Sequence, residues 1–125
     1  MQALRDLQGF TLIEILIATV IIAVASLGVA SLTLGIIQGN SFSKHLTVAT
    51  TLGQDRLEQV KRIGYSNIGS VTGTENYGSI ANYDGFKRVT TVTDNTPSPN
   101  MRTIEVRIYW DMDKHSVLLS TILSE

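Results

Sequence analysis

From Phe10 to Ile37 the chain is apolar or small at almost every position, broken by one charge, Glu14, and by scattered Thr, Ser and Gly. About 20 helical residues cross a bilayer, so this segment is long enough to span one. A cleaved secretory signal would instead combine a basic start, an apolar stretch of ~7–15 residues and a small-residue cut site after it. Here the polar stretch Met1–Gly9 comes before the run, and a cut after Gly9 would leave the span in the mature chain. Gly39-Asn40-Ser41 then marks the exit from the bilayer and a place for a bend.

The pattern changes beyond that point. Leu46, Ala49, Leu52, Leu57, Val60 and Ile63 follow three- and four-residue steps, with Lys44, Asp55, Arg56, Glu58, Lys61 and Arg62 largely between them. That period predicts an amphipathic helix over 41–63 whose charged face is explained by solvation. Lys61-Arg62 suits the negative end of the helix, and Gly64 supplies a C-cap. Tyr65–Tyr83, rich in Gly, Ser, Asn and Thr, has no period and predicts a loop over 64–85. Its Tyr65, Tyr77 and Tyr83 are available either to the domain or to a neighbouring chain.

After the turn signal Asp84-Gly85, Phe86–Thr93 reads as a strand, and Asp94–Asn100, with Pro97 and Pro99, reads as a loop. Thr103–Trp110 alternates, with Ile104, Val106, Ile108 and Trp110 on one face and Thr103, Glu105, Arg107 and Tyr109 on the other. A turn over Asp111–His115 and a last strand over Val117–Leu123 complete a three-stranded meander, 86–123, expected to cover Leu52, Leu57, Val60 and Ile63. The predicted fold is α+β. A long N-terminal helix, transmembrane over 10–39 and amphipathic over 41–63, packs on a small antiparallel sheet within a soluble domain, 40–125.

Glu14 is the candidate functional residue of the span. A carboxylate inside an apolar span costs a few kcal/mol to insert, so it needs a partner, a task or a route to interfacial water by snorkelling. It lies one helical turn from the amine that cleavage after Gly9 would create on Phe10. That spacing brings the carboxylate to its own terminus or to the terminal ammonium of a neighbouring chain. Either contact gives a buried charge its opposite.

Gly9-Phe10-Thr11-Leu12-Ile13-Glu14 resembles the processing motif of type IV pilins and pseudopilins: Gly before the cut, Phe or Met after it, and Glu at the fifth mature position. In that family a membrane aspartyl prepilin peptidase cleaves after the Gly and methylates the new terminus. The resemblance therefore implies processing at Gly9 and Phe10, assembly through Glu14, and the leader at 1–9. It also implies a helix-then-sheet fold and a bacterial inner-membrane location with the soluble domain outside the cytoplasm, followed by entry into a filament. The leader is less basic than is usual in the family. Its implied partners are the peptidase, inner-membrane lipid, and other pilin or pseudopilin subunits. The Val106-x-Ile108-x-Trp110 strand with its acidic turn, and Ala49–Glu58 in the helix, resemble PilV-type minor pilins and the I-type minor pseudopilin of type II secretion. These matches favour a minor over a major subunit, with a simple bitopic binding or sensor protein as a further alternative.

Ala18, Ala25, Gly28, Ser31 and Gly35 recur at steps of three, four or seven and form a small-residue face on which helices can approach closely. Small residues are also common in membrane helices generally. Many major pilins carry a proline where this chain has Ser31, and only Gly28 and Gly35 loosen the helix here.

Composition narrows the remaining chemistry. The 125 residues leave roughly 85 beyond the span, enough for one modest core and too few for a large catalytic domain. A formal charge of −1 without basic clusters points away from nucleic acid. With no cysteine, disulfides and thiol chemistry are excluded. Orientation is weakly marked, because Asp6 offsets Arg5 and Lys44 lies beyond the other end of the span. His45 and His115 lack metal-ligand spacing, and Asp111 with Asp113 has too few oxygens for calcium. No cofactor and no enzymatic activity are expected.

Overall fold

A computed structural model describes residues 9–125; of the leader expected at 1–9, only Gly9 falls among the described residues. The chain divides into two compact units, one ending at Asn40 and one covering Ser41–Glu125, and the helix α1 (Leu12–Ile63) contributes to both. It is continuous over 52 residues, so Gly28, Gly35 and Gly39-Asn40-Ser41 do not interrupt its hydrogen bonding. α1 ends where expected: Gly64 follows Ile63 with φ +81°, a left-handed value that favours glycine.

The second unit is an α+β arrangement, the C-terminal part of α1 against an antiparallel sheet of four strands. These are β1 (Gly73–Glu75), β2 (Phe86–Asp94), β3 (Met101–Trp110) and β4 (His115–Ser124), in the order β1-β2-β3-β4. The register aligns Phe86 with Trp110 and Trp110 with His115. The alternation of β3 is borne out: Ile104, Val106, Ile108 and Trp110 are all buried, while Glu105 and Arg107 are exposed.

Three expectations need correction. The sheet has four strands where three were expected, and the stretch expected as a loop, 64–85, holds both β1 and a 3₁₀ helix, Tyr65–Val71. That helix and its surroundings bury Ile68, Val71 and Ile80. β1 escapes a pattern search because three residues show no period; it exists because Glu75 faces Arg88 in the ladder and the two side chains pair. Arg88 is buried, with Nη2 donating to Glu75 Oε1 at 2.7 Å and Nη1 donating to the Leu52 carbonyl of α1 at 3.4 Å. A buried guanidinium requires such partners.

A third correction concerns the helix face. Ala49, Leu52, Leu57 and Val60 are buried as expected, but Ile63 is 42% exposed and Leu46 is 38% exposed. Gly53 and Arg56 share the covered side. A β-carbon on Gly53 would sit 2.6 Å from Leu119 Cδ1, so β4 approaches the helix backbone closely there. Arg56 donates to Thr90 Oγ1 at 3.3 Å and to the Val71 carbonyl at 3.4 Å, giving buried Thr90 a partner. The three loop tyrosines pack on the domain. Tyr65 lies under Arg102 at 4.5 Å, Tyr77 bonds to Asp113 and Tyr83 edges onto Phe86.

Candidate assembly site at the start of the helix

The helix begins at Leu12, two residues later than the expected start of the span, because Thr11 caps it. Thr11 Oγ1 accepts from the Glu14 N–H at 3.3 Å, and Glu14 Oε2 accepts from the Thr11 N–H at 3.0 Å. This reciprocal pair is a capping box, which satisfies two of the backbone donors left free at a helix start. The Thr11 hydroxyl donates to the same Oε2 at 3.1 Å. Within a single chain, then, Glu14 is held by Thr11, three residues before it. Both partners expected from the sequence are terminal amines, whereas the T-x-x-E spacing ahead of an apolar run is the sequence signal for this local one.

These bonds orient the carboxylate without neutralising it. Thr11 contributes an amide and a hydroxyl, both uncharged, and the helix start adds only a partial positive charge. Gly9 and Phe10 precede the helix in non-helical backbone, Phe10 is 83% exposed, and nothing lies within 4 Å of a β-carbon built on Gly9. The Gly9-Phe10 bond thus lies outside the helix, between two exposed residues. Phe10, Glu14, Ile15, Ala18 and Thr19 line one shallow, open depression, so the carboxylate borders an apolar surface.

The proposed packing residues continue along the same helix. Ala18, Ala25, Gly28, Ser31 and Gly35 are exposed, and nothing lies within 4 Å of the β-carbon positions of Gly28 and Gly35. The described residues up to Asn40 are all exposed, including the large side chains of Leu16, Leu27 and Leu32. A helix that is apolar on every side and covered on none needs lipid or other helices around it. Among the described residues no group of three or more His, Cys, Asp or Glu side chains is placed to hold a metal.

No curated protein and no solved structure matches the chain significantly. Residues 5–30 match the family model described as the prokaryotic N-terminal methylation motif. The motif and the apolar helix behind it are consistent with membrane anchoring and a pilus, and they support a subunit of type IV pilin or pseudopilin type, processed by a prepilin peptidase and assembled with other pilins.

Proposed function

We propose that the chain is a minor structural subunit of a type IV pilus or a pilus-like filament. It enters the bacterial inner membrane as a single-pass precursor with 41–125 outside the cytoplasm, is cut after Gly9 and methylated on Phe10, and then moves into the filament. The observation that supports a pilin-type subunit is the methylation motif at residues 5–30, on a helix whose residues up to Asn40 are all exposed, and the minor role rests on the resemblance of Ala49–Glu58 and Val106–Trp110. Glu14 then has a defined task. Thr11 holds Oε2, and Oε1 is the acceptor we assign to the terminal ammonium of an adjoining subunit. Ion pairing draws that subunit into register, and the small-residue face from Ala18 to Gly35 lets the helices close. No catalytic role is proposed.

Terminal sequencing of the mature protein is the first test, with Phe10 the expected start and Gly9→Val expected to leave uncut precursor in the membrane. An intact Met1, or a cut beyond Ile37, would defeat the reading. The second test is incorporation of Glu14→Ala and Glu14→Gln into sheared filaments, scored against their membrane level and their cleavage. Both variants should be inserted and cut but poorly incorporated, and normal incorporation of both would defeat the pairing role.

A further inference from the structure

Paired contacts set the direction of the sheet relative to the C-terminal part of α1. At one level Phe42 meets His115 at 5.3 Å and Trp110 at 6.0 Å, while further along Gly53 meets Leu119. β2 shows the same order, with Phe86 against His45, Arg88 at the Leu52 carbonyl and Thr90 at Arg56. From Phe42 to Gly53 a helix rises about 16 Å, and from His115 to Leu119 a strand covers about 13 Å, so helix and strands run side by side. The β3–β4 turn, Asp111–Lys114, therefore lies beyond the Phe42 end, the end of the second unit at which its chain begins.

That turn is unusual. Asp111, Met112 and Asp113 all have left-handed backbone, with φ of 52°, 53° and 67°, a conformation unfavourable for residues with side chains. It is held in place from the Tyr77 loop and from β2: the Asp113 N–H donates to Tyr77 Oη at 2.9 Å, the Tyr77 hydroxyl lies 3.0 Å from Asp113 Oδ1, and the ammonium of Lys87 in β2 pairs with Asp113 Oδ2. The held turn presents Met112, 87% exposed, at its tip. Phe42, Tyr77 and Tyr83 are also exposed at this end, and Lys44 and Lys114 accompany them. Aromatic rings, one bare apolar side chain and lysines are the composition of a membrane interface.

We infer that this end of the domain, made by Phe42, Tyr77, Tyr83 and the Met112 turn, sits in the headgroup layer of the bilayer from which α1 emerges, with Met112 at the acyl boundary. The inference rests on the membrane-anchored reading. Covalent continuity selects a lipid surface as the occupant, because Phe42 is within two residues of Asn40 and stays near the bilayer edge at any angle of the chain. Lys44, Lys87 and Lys114 are balanced by Asp84, Asp111 and Asp113, so contact is expected with zwitterionic as well as anionic lipid.

The test uses the full chain, which has no cysteine, at one chain per lipid nanodisc of phosphatidylcholine. Met112→Cys, Ser98→Cys in the β2–β3 loop at the opposite end, and Ala30→Cys in the span each carry a fluorophore, with quenchers at shallow or deep positions in the lipid. Shallow quenching is expected to be several-fold stronger at 112 than at 98, with deep quenching at 30. Because a label is itself apolar, a probe on Lys114→Cys is read with and without Met112→Asp, which should remove most of its shallow quenching. Equal quenching at 112 and 98, with 30 quenched, overturns the inference and leaves anchoring standing. No quenching at 30 overturns both. Burial of the 112 probe only in vesicles crowded with the protein assigns the turn to a subunit contact and overturns the lipid assignment.

Discussion

Thr11 and Trp110 act on opposite ends of the same helix problem, one closing its start and the other covering its later turns. Thr11→Val keeps the shape of the side chain and loses the oxygen that receives the Glu14 N–H, so the first turn should weaken by about 0.5–2 kcal/mol. Amide exchange of Leu12–Ile15 in micelles should accelerate in Thr11→Val and stay near the parent rate in Thr11→Ser. Trp110 is 3% exposed and touches Phe42, Phe86 and His115. Trp110→Ala empties a large site that a small domain cannot collapse around, and should cost about 3–5 kcal/mol, read as a lowered urea midpoint of residues 41–125.

Strand and helix placement depend on two close fits. Gly53 lets β4 approach α1, and the Leu119 methyl group fills the place that a side chain would take. Gly53→Val should therefore lower stability by roughly 1–3 kcal/mol through overpacking, and Leu119→Ala should recover part of the loss in the double variant. β1 depends on the Arg88–Glu75 pair. Hydrogen bonding by Arg88 holds the Glu75 carboxyl below its ordinary value of 4.5, outweighing the opposing effect of partial burial. A depressed carboxyl contributes stability that is complete above its unfolded value and is lost as pH falls through the folded one. The urea midpoint should drop from pH 5 downwards in the parent, and Glu75→Gln should flatten that part of the profile; an identical slope in both would remove Glu75 from the account.

At the scale of the whole molecule the two units demand different solvents. Residues 9–40 expose an apolar surface on every side, whereas Ser41–Glu125 encloses a core of Leu52, Val60, Ile68, Ile104 and Ile108 among others. The 41–125 fragment should stay in solution and unfold cooperatively without detergent, while the full chain should require detergent or lipid. Sedimentation of the two after detergent removal checks this, and a fragment that aggregates as readily as the full chain would contradict it.

The sequence by itself determined the long apolar helix through its unbroken apolar run, the amphipathic part of the helix and the strand at Thr103–Trp110 through their periods, and the strands on either side through composition and turn signals, because each of these is local and many residues long. The motif from Gly9 to Glu14 was legible for the same reason of locality: its residues lie within about one helical turn. Tertiary structure decided the rest. Glu75 acquires a strand by meeting Arg88, and Ile63, though on the covered side of α1, stays half exposed because the buried stretch runs from Ala49 to Val60 and Ile63 lies beyond it at the helix end. In the sequence Asp111 and Asp113 are only part of a turn, yet Asp113 is tied to Tyr77 and Lys87, distant in sequence. Local patterns report what one segment prefers, whereas burial, buried ion pairs and strained turns depend on which segments are brought together, and no single segment encodes that.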